Sequence, residues 1–202
     1  SNPKIWRRLQ VNQKSTVAEF AYIILTVFEM KASHLFKVIV PKGKYAMEAY
    51  AKILGKDFKK KTFQKEHPDI ATIRYRYELT DLIDEEFLSD RTNDIVFNVT
   101  KEKLKHALSM VGEGLELCYD FGDDWIVDVK LTEIRETDES FLAPIVLEGE
   151  GFGILEDCGG VHRLNDIVEA FKNKDNELYF DMCEWLGIDD FDFSSFDTIE
   201  MN

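Results

Sequence analysis

Carboxylates crowd one short stretch of this 202-residue chain. Tyr119–Trp125 reads YDFGDDW, so Asp120, Asp123 and Asp124 sit together at what should be a chain reversal. Acidic side chains gathered in this way suit three tasks. They can hold a divalent cation through hard oxygen ligands, or act as acid and base. They can also serve the turn itself, because Asp accepts hydrogen bonds from nearby backbone amides.

Two other places carry partial sets. Ser33 and His34 bring a hydroxyl beside an imidazole, and Cys158 lies four residues before His162. A nucleophile needs a base and an orienting group, and neither pair supplies all three. Cys158 and His162 resemble half a zinc site, but no Cys-x-x-Cys occurs to complete it. Gly149, Gly151 and Gly153 lack the Gly-Lys-Ser/Thr that would make a phosphate loop. His34 is read as a hydrogen-bonded residue opening a strand, and Asp157 as the cap of the turn into the next helix. His34, Asp120, Asp123, Asp124, Trp125, Asp157 and Cys158 therefore form the candidate surface or pocket. No catalytic residue or metal ligand is assigned among them, and no cofactor is implied.

A basic set stands apart. Lys56–Lys65 interleaves five lysines with Phe58 and Phe63, a pattern that can track a nucleic-acid backbone and stack bases. Lys59, Lys60 and Lys61, with Arg74 and Arg76 of the following strand, are the candidate anion contacts. Bulk charge opposes that use, since the chain carries a net −14. Its distribution is uneven: residues 1–79 carry +9 and residues 80–202 carry −23. With no linker between them, the two halves are expected to attract each other within one fold, leaving Lys56–Lys65 as a solvated loop.

The elements that must position these residues follow from periodicity. Leu115–Phe121 and Trp125–Leu131 alternate apolar and polar, which marks strands with one buried face. Leu115, Leu117, Tyr119 and Phe121 share one side, as do Trp125, Val127, Val129 and Leu131. A hairpin over 115–131 results, with Gly122 expected to supply the positive φ of its turn. Further strands are expected at Ile5–Val11, His34–Val40, Ile70–Leu79, Asp94–Val99 and Phe141–Leu147. Thr16 and Glu19 fit a capping box opening a helix to about Met30. Helices are also expected at Tyr45–Leu54, after Thr100, at Leu164–Lys172, and from Asp175 or Asn176 to Leu186. The segment Asp81–Asp90 reads as an acidic helical turn or loop. The tail from Asp189 carries Phe191, Phe193 and Phe196, and is expected to dock against the basic strand around Arg74 and Arg76.

These elements predict an α+β fold: one domain over 3–202, with a largely antiparallel mixed sheet of about six strands packed by helices. Ser1 and Asn2 read as a cloning scar. No apolar run approaches membrane-spanning length, so no membrane partner is expected. Cys118, Cys158 and Cys183 are odd in number and widely spaced, which points to a reducing cytoplasm.

Four stretches together resemble the plasmid ORF-3-like family, named after a reading frame on a root-inducing plasmid. They are KIWRRLQV at Lys4–Val11, SHLFKV at Ser33–Val38, YDFGDDW at Tyr119–Trp125, and EDCGG at Glu156–Gly160 with Trp185–Gly187 beyond it. The chain departs from the family pattern at Ile154 and Leu155, where a Pro pair is usual. It departs again at Phe28–Ala32, which lacks a Trp, and at Ile126 and Val127, where acidic or His residues are common. The resemblance implies a prokaryotic protein from a family sometimes associated with mobile elements, and it brings little mechanism. The leading expectation is a non-enzymatic module that docks a protein partner. Its alternatives are a nucleic-acid-associated protein, and a metal-binding domain or metal-assisted hydrolase built on the clustered carboxylates. The last demands that Asp120, Asp123, Asp124, Asp157 and His34 converge within about 5 Å of one point.

Overall fold

A computed structural model describes residues 4–82, 94–136, 143–188 and 190–198 of the chain. In it the alternating stretch after Glu113 folds as expected: β5 (Gly114–Tyr119) turns back into β6 (Trp125–Lys130), with Tyr119 opposite Trp125. Leu115, Leu117, Tyr119 and Trp125 are buried on one face, while Glu116, Ile126 and Asp128 are exposed on the other. Phe121 does not join the inner row. The strand ends at Tyr119, Asp120 takes a φ of 53°, and Phe121 turns outward, 55% exposed. The left-handed positions of the turn are Asp120 and Asp124, not Gly122. Asp tolerates that conformation because its short side chain bonds the local backbone, here Asp120 Oδ1 to the amides of Gly122 (3.0 Å) and Asp123 (3.4 Å).

β2 (Phe36–Val40) lies beside β5 at the centre of a five-stranded sheet. Its other neighbour is β3 (Arg74–Glu78), which pairs in parallel with the edge strand β4 (Asp94–Asn98). The order is β4-β3-β2-β5-β6, and every pairing but β3–β4 is antiparallel. A separate two-stranded ribbon joins β1 (Trp6–Gln10) to β7 (Ile145–Glu150). The fold is α+β, with seven helices among the described residues.

The inner face of the sheet is covered by α1 (Val17–Val27), whose capping box is formed as expected, with Glu19 Oε2 accepting from the Thr16 amide at 2.6 Å. α1 ends at Val27, because Glu29 adopts a φ of 62°. Between β2 and β3 run α2 (Lys42–Leu54), α3 (Lys60–Glu66) and α4 (Pro68–Thr72). The expected strand from Ile70 is therefore half helix. Pro68 suits the first turn of α4, where its missing N–H leaves no bond unmade, and extended backbone resumes only at Arg74. The helix expected after Thr100 shrinks to α5 (Leu104–Ala107); Thr100 bonds Asn98 Oδ1 instead, and Val111 is exposed.

α6 (Gly160–Asn173) completes the core with Leu164, Ile167, Val168 and Phe171. α7 (Glu177–Leu186) follows, capped by Asn176 through the Tyr179 amide at 2.9 Å and closed by Gly187 at a φ of 67°. The aromatic tail docks, but at a different place from the one expected. Phe191 meets Phe152, Phe193 meets Phe171, and Phe196 lies under the Arg7 guanidinium at 4.1 Å. Arg74 and Arg76 offer it nothing, because they are already engaged by Asp94 and Glu78. The expected strand Phe141–Leu147 begins outside the described residues and is seen as β7 from Ile145; most of Asp81–Asp90 also lies outside them.

Candidate functional site

Antiparallel pairing of β2 with β5 sets Phe36 opposite Tyr119, so the residue two before Phe36 and the one after Tyr119 emerge at the same sheet end. These are His34 and Asp120, tied there by the Asp120 amide, which donates to Leu35 O at 3.1 Å. The loop before α6 then lies across that end. Gly159 N donates to Asp123 Oδ2 at 3.0 Å, and Gly160 approaches so closely that an added Cβ would stand 2.5 Å from Asp123 O. Only glycine fits that contact, and Gly160 also has a φ of 80°. The loop thereby delivers Glu156 and Asp157 to His34.

Three carboxylates face one imidazole. His34 Nε2 lies 3.1 Å from Asp157 Oδ1, 3.7 Å from Glu156 Oε1 and 3.8 Å from Asp120 Oδ2. One ligand atom from each of His34, Asp120 and Asp157 falls within 4.8 Å of the others. Ligands sharing one ion at bonds of about 2.1 Å stand at most about 4.2 Å apart, so a small inward movement would seat it. Asp120 is 8% exposed, and its Oδ1 is occupied by turn amides while Oδ2 faces His34 beyond hydrogen-bond reach. Among the described residues no Lys or Arg pairs with Asp120, Glu156 or Asp157.

Glu156 is the buried anchor, 5% exposed. Its Oε2 accepts from the Lys31 amide at 2.5 Å, and its Oε1 accepts from Ser33 Oγ at 2.9 Å and from the Tyr119 hydroxyl. Burial pushes its pKa up, but the bonds from Tyr119, Lys31 and Ser33 and the nearness of His34 outweigh that, and the carboxyl ends below the ordinary range. Tyr119 is fully buried, which raises its own pKa, as does the Glu156 bond. The same hydroxyl accepts from the backbone N–H groups of Ser33 (3.0 Å) and His34 (3.3 Å), so it fixes the loop that carries the imidazole.

His34, Asp120 and Asp157 are thus brought together. Asp157 does not cap α6, whose N-cap is Gly159, because its side chain is turned toward His34. Asp123 ties the hairpin to the α6 loop, and Asp124 closes the turn with its amide on Asp120 O at 2.7 Å. Trp125 is sealed in the core at 5% exposure. Cys158 meets Gly160 O at 3.8 Å, and burial followed by Asp123 pushes its thiol up to about 11, away from nucleophilic or ligating use. Glu156 and Tyr119 lie inside the recognised stretches without a candidate role, and Ser33 is named only for its hydroxyl beside the His34 imidazole. Nothing in their spacing shows that strand pairing joins them.

The basic candidates have other engagements. Arg74 makes a two-pronged pair with Asp94 at 2.8 and 3.1 Å, and Arg76 lies 3.4 Å from Glu78. Phe63 is 6% exposed and packs against Tyr50, Phe58 and His67, so that ring is not displayed for base stacking. Lys59 precedes α3, and Lys60 and Lys61 open it, all three exposed.

A family model described as plasmid pRiA4b ORF-3-like protein matches residues 1–200. Among solved structures, the chain is similar to a crystal structure of a protein of unknown function from Methanosarcina mazei Go1. They share 24% identity and a TM-score of 0.70, over 100% of this chain and 92% of the other. At that identity the likeness speaks for the fold. No curated protein matches the chain. No helix among the described residues is long and apolar enough to cross a membrane.

Proposed function

The chain belongs to the plasmid pRiA4b ORF-3-like family, and we propose that in this member the hairpin corner is a divalent-cation-binding centre. One observation carries the reading: His34, Asp120 and Asp157 present ligand atoms within 4.8 Å of one another, with no Lys or Arg among the described residues to balance the carboxylates. An imidazole with carboxylates favours Zn2+, Mn2+ or Fe2+ over the all-oxygen preference of Ca2+ and Mg2+. Glu156 would stay behind the ligands, holding the loop through Lys31, Ser33 and Tyr119. The bound ion would lock the α6 loop onto the hairpin and so rigidify the rim around it.

The test is thermal unfolding and calorimetric titration with Zn2+, Mn2+, Mg2+ and Ca2+, one at a time. Saturable one-site binding is expected, with stabilisation of about 2.7 kcal/mol at a hundredfold excess over the dissociation constant. His34→Ala should weaken binding by about tenfold or more. If none of the four ions moves the melting temperature, the reading fails.

A second reading treats the corner as a docking rim for a protein partner, with or without the ion. It is favoured by Leu35 just before β2, Phe121 in the turn and Ile126 in β6, apolar residues that are 58%, 55% and 53% exposed. Pull-down loss on Phe121→Asp with folding intact would support it, and unchanged capture would count against it.

A further inference from the structure

Among the described residues the five-stranded sheet ends at β6 with no strand beyond it, and the ribbon β1–β7 belongs to a different sheet. Leu131 shows which way the β6 backbone faces: its N–H donates to Glu113 O and its carbonyl accepts from the Gly112 amide, both at 2.8 Å. Antiparallel pairing alternates every second residue, so Val129, Val127 and Trp125 also turn their backbone groups toward β5. The amides and carbonyls of Ile126, Asp128 and Lys130 are left on the open edge. Their side chains form one exposed row. Open edges of this kind are templates for another strand.

The order of charges in that row selects the strand that fits. Two copies of β6 meeting about a two-fold axis must run antiparallel, and the residue on the axis fixes every pair. An axis at Asp128 sets that carboxylate against itself, and an axis at Lys130 opposes two ammonium groups. An axis at Val127 wastes Asp128 on Ile126. With the axis at Val129, Asp128 of each copy lies directly opposite Lys130 of the other, twice, while the two Val129 side chains meet on the inner face. Opposite charges facing across strands favour pairing, and like charges oppose it. Among the described residues neither Asp128 nor Lys130 is held in an ion pair, so both are free to be used in this way.

The geometry points to a second copy of this chain as the occupant of the β6 edge, joined through Asp128–Lys130 pairs about Val129. The interface is small, so association is expected to be weak, in the range of roughly 1 μM to 1 mM. Sedimentation equilibrium across that range should show a reversible monomer–dimer system. Asp128→Lys and Lys130→Asp should each raise the dissociation constant at least tenfold. The double swap, which restores the opposite-charge order, should return it to the original value. Both positions are exposed, so retained circular dichroism and melting temperature verify that each variant is folded. In the dimer, hydrogen exchange at the Ile126, Asp128 and Lys130 amides should slow.

A chain that stays monomeric throughout overturns the proposal. So does a dimer indifferent to both single swaps, or one that the double swap does not rescue. Protection of the β6 amides only on adding an unrelated extended peptide would also overturn it, assigning the edge to a foreign strand.

Discussion

Strand β5 has a buried carboxylate at each end, and the two ends solve the same electrostatic problem differently. At the start, Glu113 is 4% exposed. Lys42 Nζ reaches its Oε1 at 2.9 Å, while Oε2 accepts from the Ser109 amide (2.6 Å), the Ser109 hydroxyl (3.1 Å) and the Met110 amide (3.2 Å). One cation meets one anion and both oxygens are satisfied. At the finish, Asp120, Glu156 and Asp157 share a single histidine. Even a protonated imidazole leaves that end two charges negative. Folding alone asks for the arrangement at Glu113, and the surplus at the other end is the feature on which the proposed cation site rests.

The sharpest way to break the comparison is to unbalance the balanced end. Lys42→Met removes the only ion-pair partner of Glu113 among the described residues and leaves a carboxylate inside the fold. Removing one partner of a buried pair costs about 3 kcal/mol or more. Urea unfolding measures it as a shift in midpoint at constant slope. A loss under about 1 kcal/mol would mean that solvent already screens the pair, as at ordinary surface sites. The contrast between the two ends would then collapse.

At the other end the equivalent stress is Tyr119→Phe. The hydroxyl donates to Glu156 and accepts two backbone amides, so its loss strands several polar groups at once. A cost of about 2 kcal/mol is expected, since hydrogen bonds to charged groups are the stronger kind. The variant should also weaken cation binding, because the amide of His34 loses its tether. Equal ion affinity in Tyr119→Phe and the parent chain would show that Glu156 and its network do not position the site.

Acid titration compares the two ends in one experiment. Burial raises the pKa of both Glu113 and Glu156, and in each case hydrogen bonds outweigh it: Lys42 and the Ser109 amide for one, Tyr119, Lys31 and Ser33 for the other. Both folded-state values therefore lie below the unfolded value of about 4.3. A depressed carboxyl stabilises the fold fully above the unfolded value, and that contribution is lost as pH falls through the folded one. Stability should decline below about pH 4.5. Glu113→Gln and Glu156→Gln should each flatten that decline, and the two effects should add, because the sites share no partner. An acid limb unchanged in both variants would rule out these two residues as its source.

How much of this was legible in sequence depends on range. The β5–β6 hairpin, the Thr16–Glu19 box and the stop at Gly187 are local, governed by alternation and capping within a few residues, and they appear as expected. The α4 helix was missed because Ile70–Leu79 alternates well enough to hide Pro68. Phe121 was misplaced because alternation cannot announce where an Asp will take a positive φ. The site was half readable. His34, Asp120 and Asp157 stand together in the candidate pocket, but alongside Asp123, Asp124, Trp125 and Cys158, which do not join their cluster, and Asp157 is also read as a helix cap. Their meeting is created by the β2–β5 register and by Gly160 packing on Asp123, contacts separated by some 37 to 123 residues in the chain. Spacing along the sequence holds no record of them.

The smallest expected effect discriminates best between the two ends. Asp157 is 57% exposed at its side chain and accepts no backbone amide among the described residues. Asp157→Asn in the ion-free protein should change stability by no more than about 0.5 kcal/mol, since surface substitutions rarely do more. Its sign should be stabilising, because one of three crowded negative charges disappears. At Glu113 the matching change, to Gln, must destabilise, because Lys42 is left unpaired. With Zn2+ or Mn2+ present the order reverses in meaning. Asp157→Asn should forfeit the ion-dependent rise in melting temperature, while Glu113→Gln should keep all of it. A carboxylate that the fold does not need and the ion does is what a binding site requires. If Asp157→Asn instead destabilises the ion-free chain as much as Glu113→Gln does, then both ends of β5 are scaffold and His34 is merely the lysine of the second one.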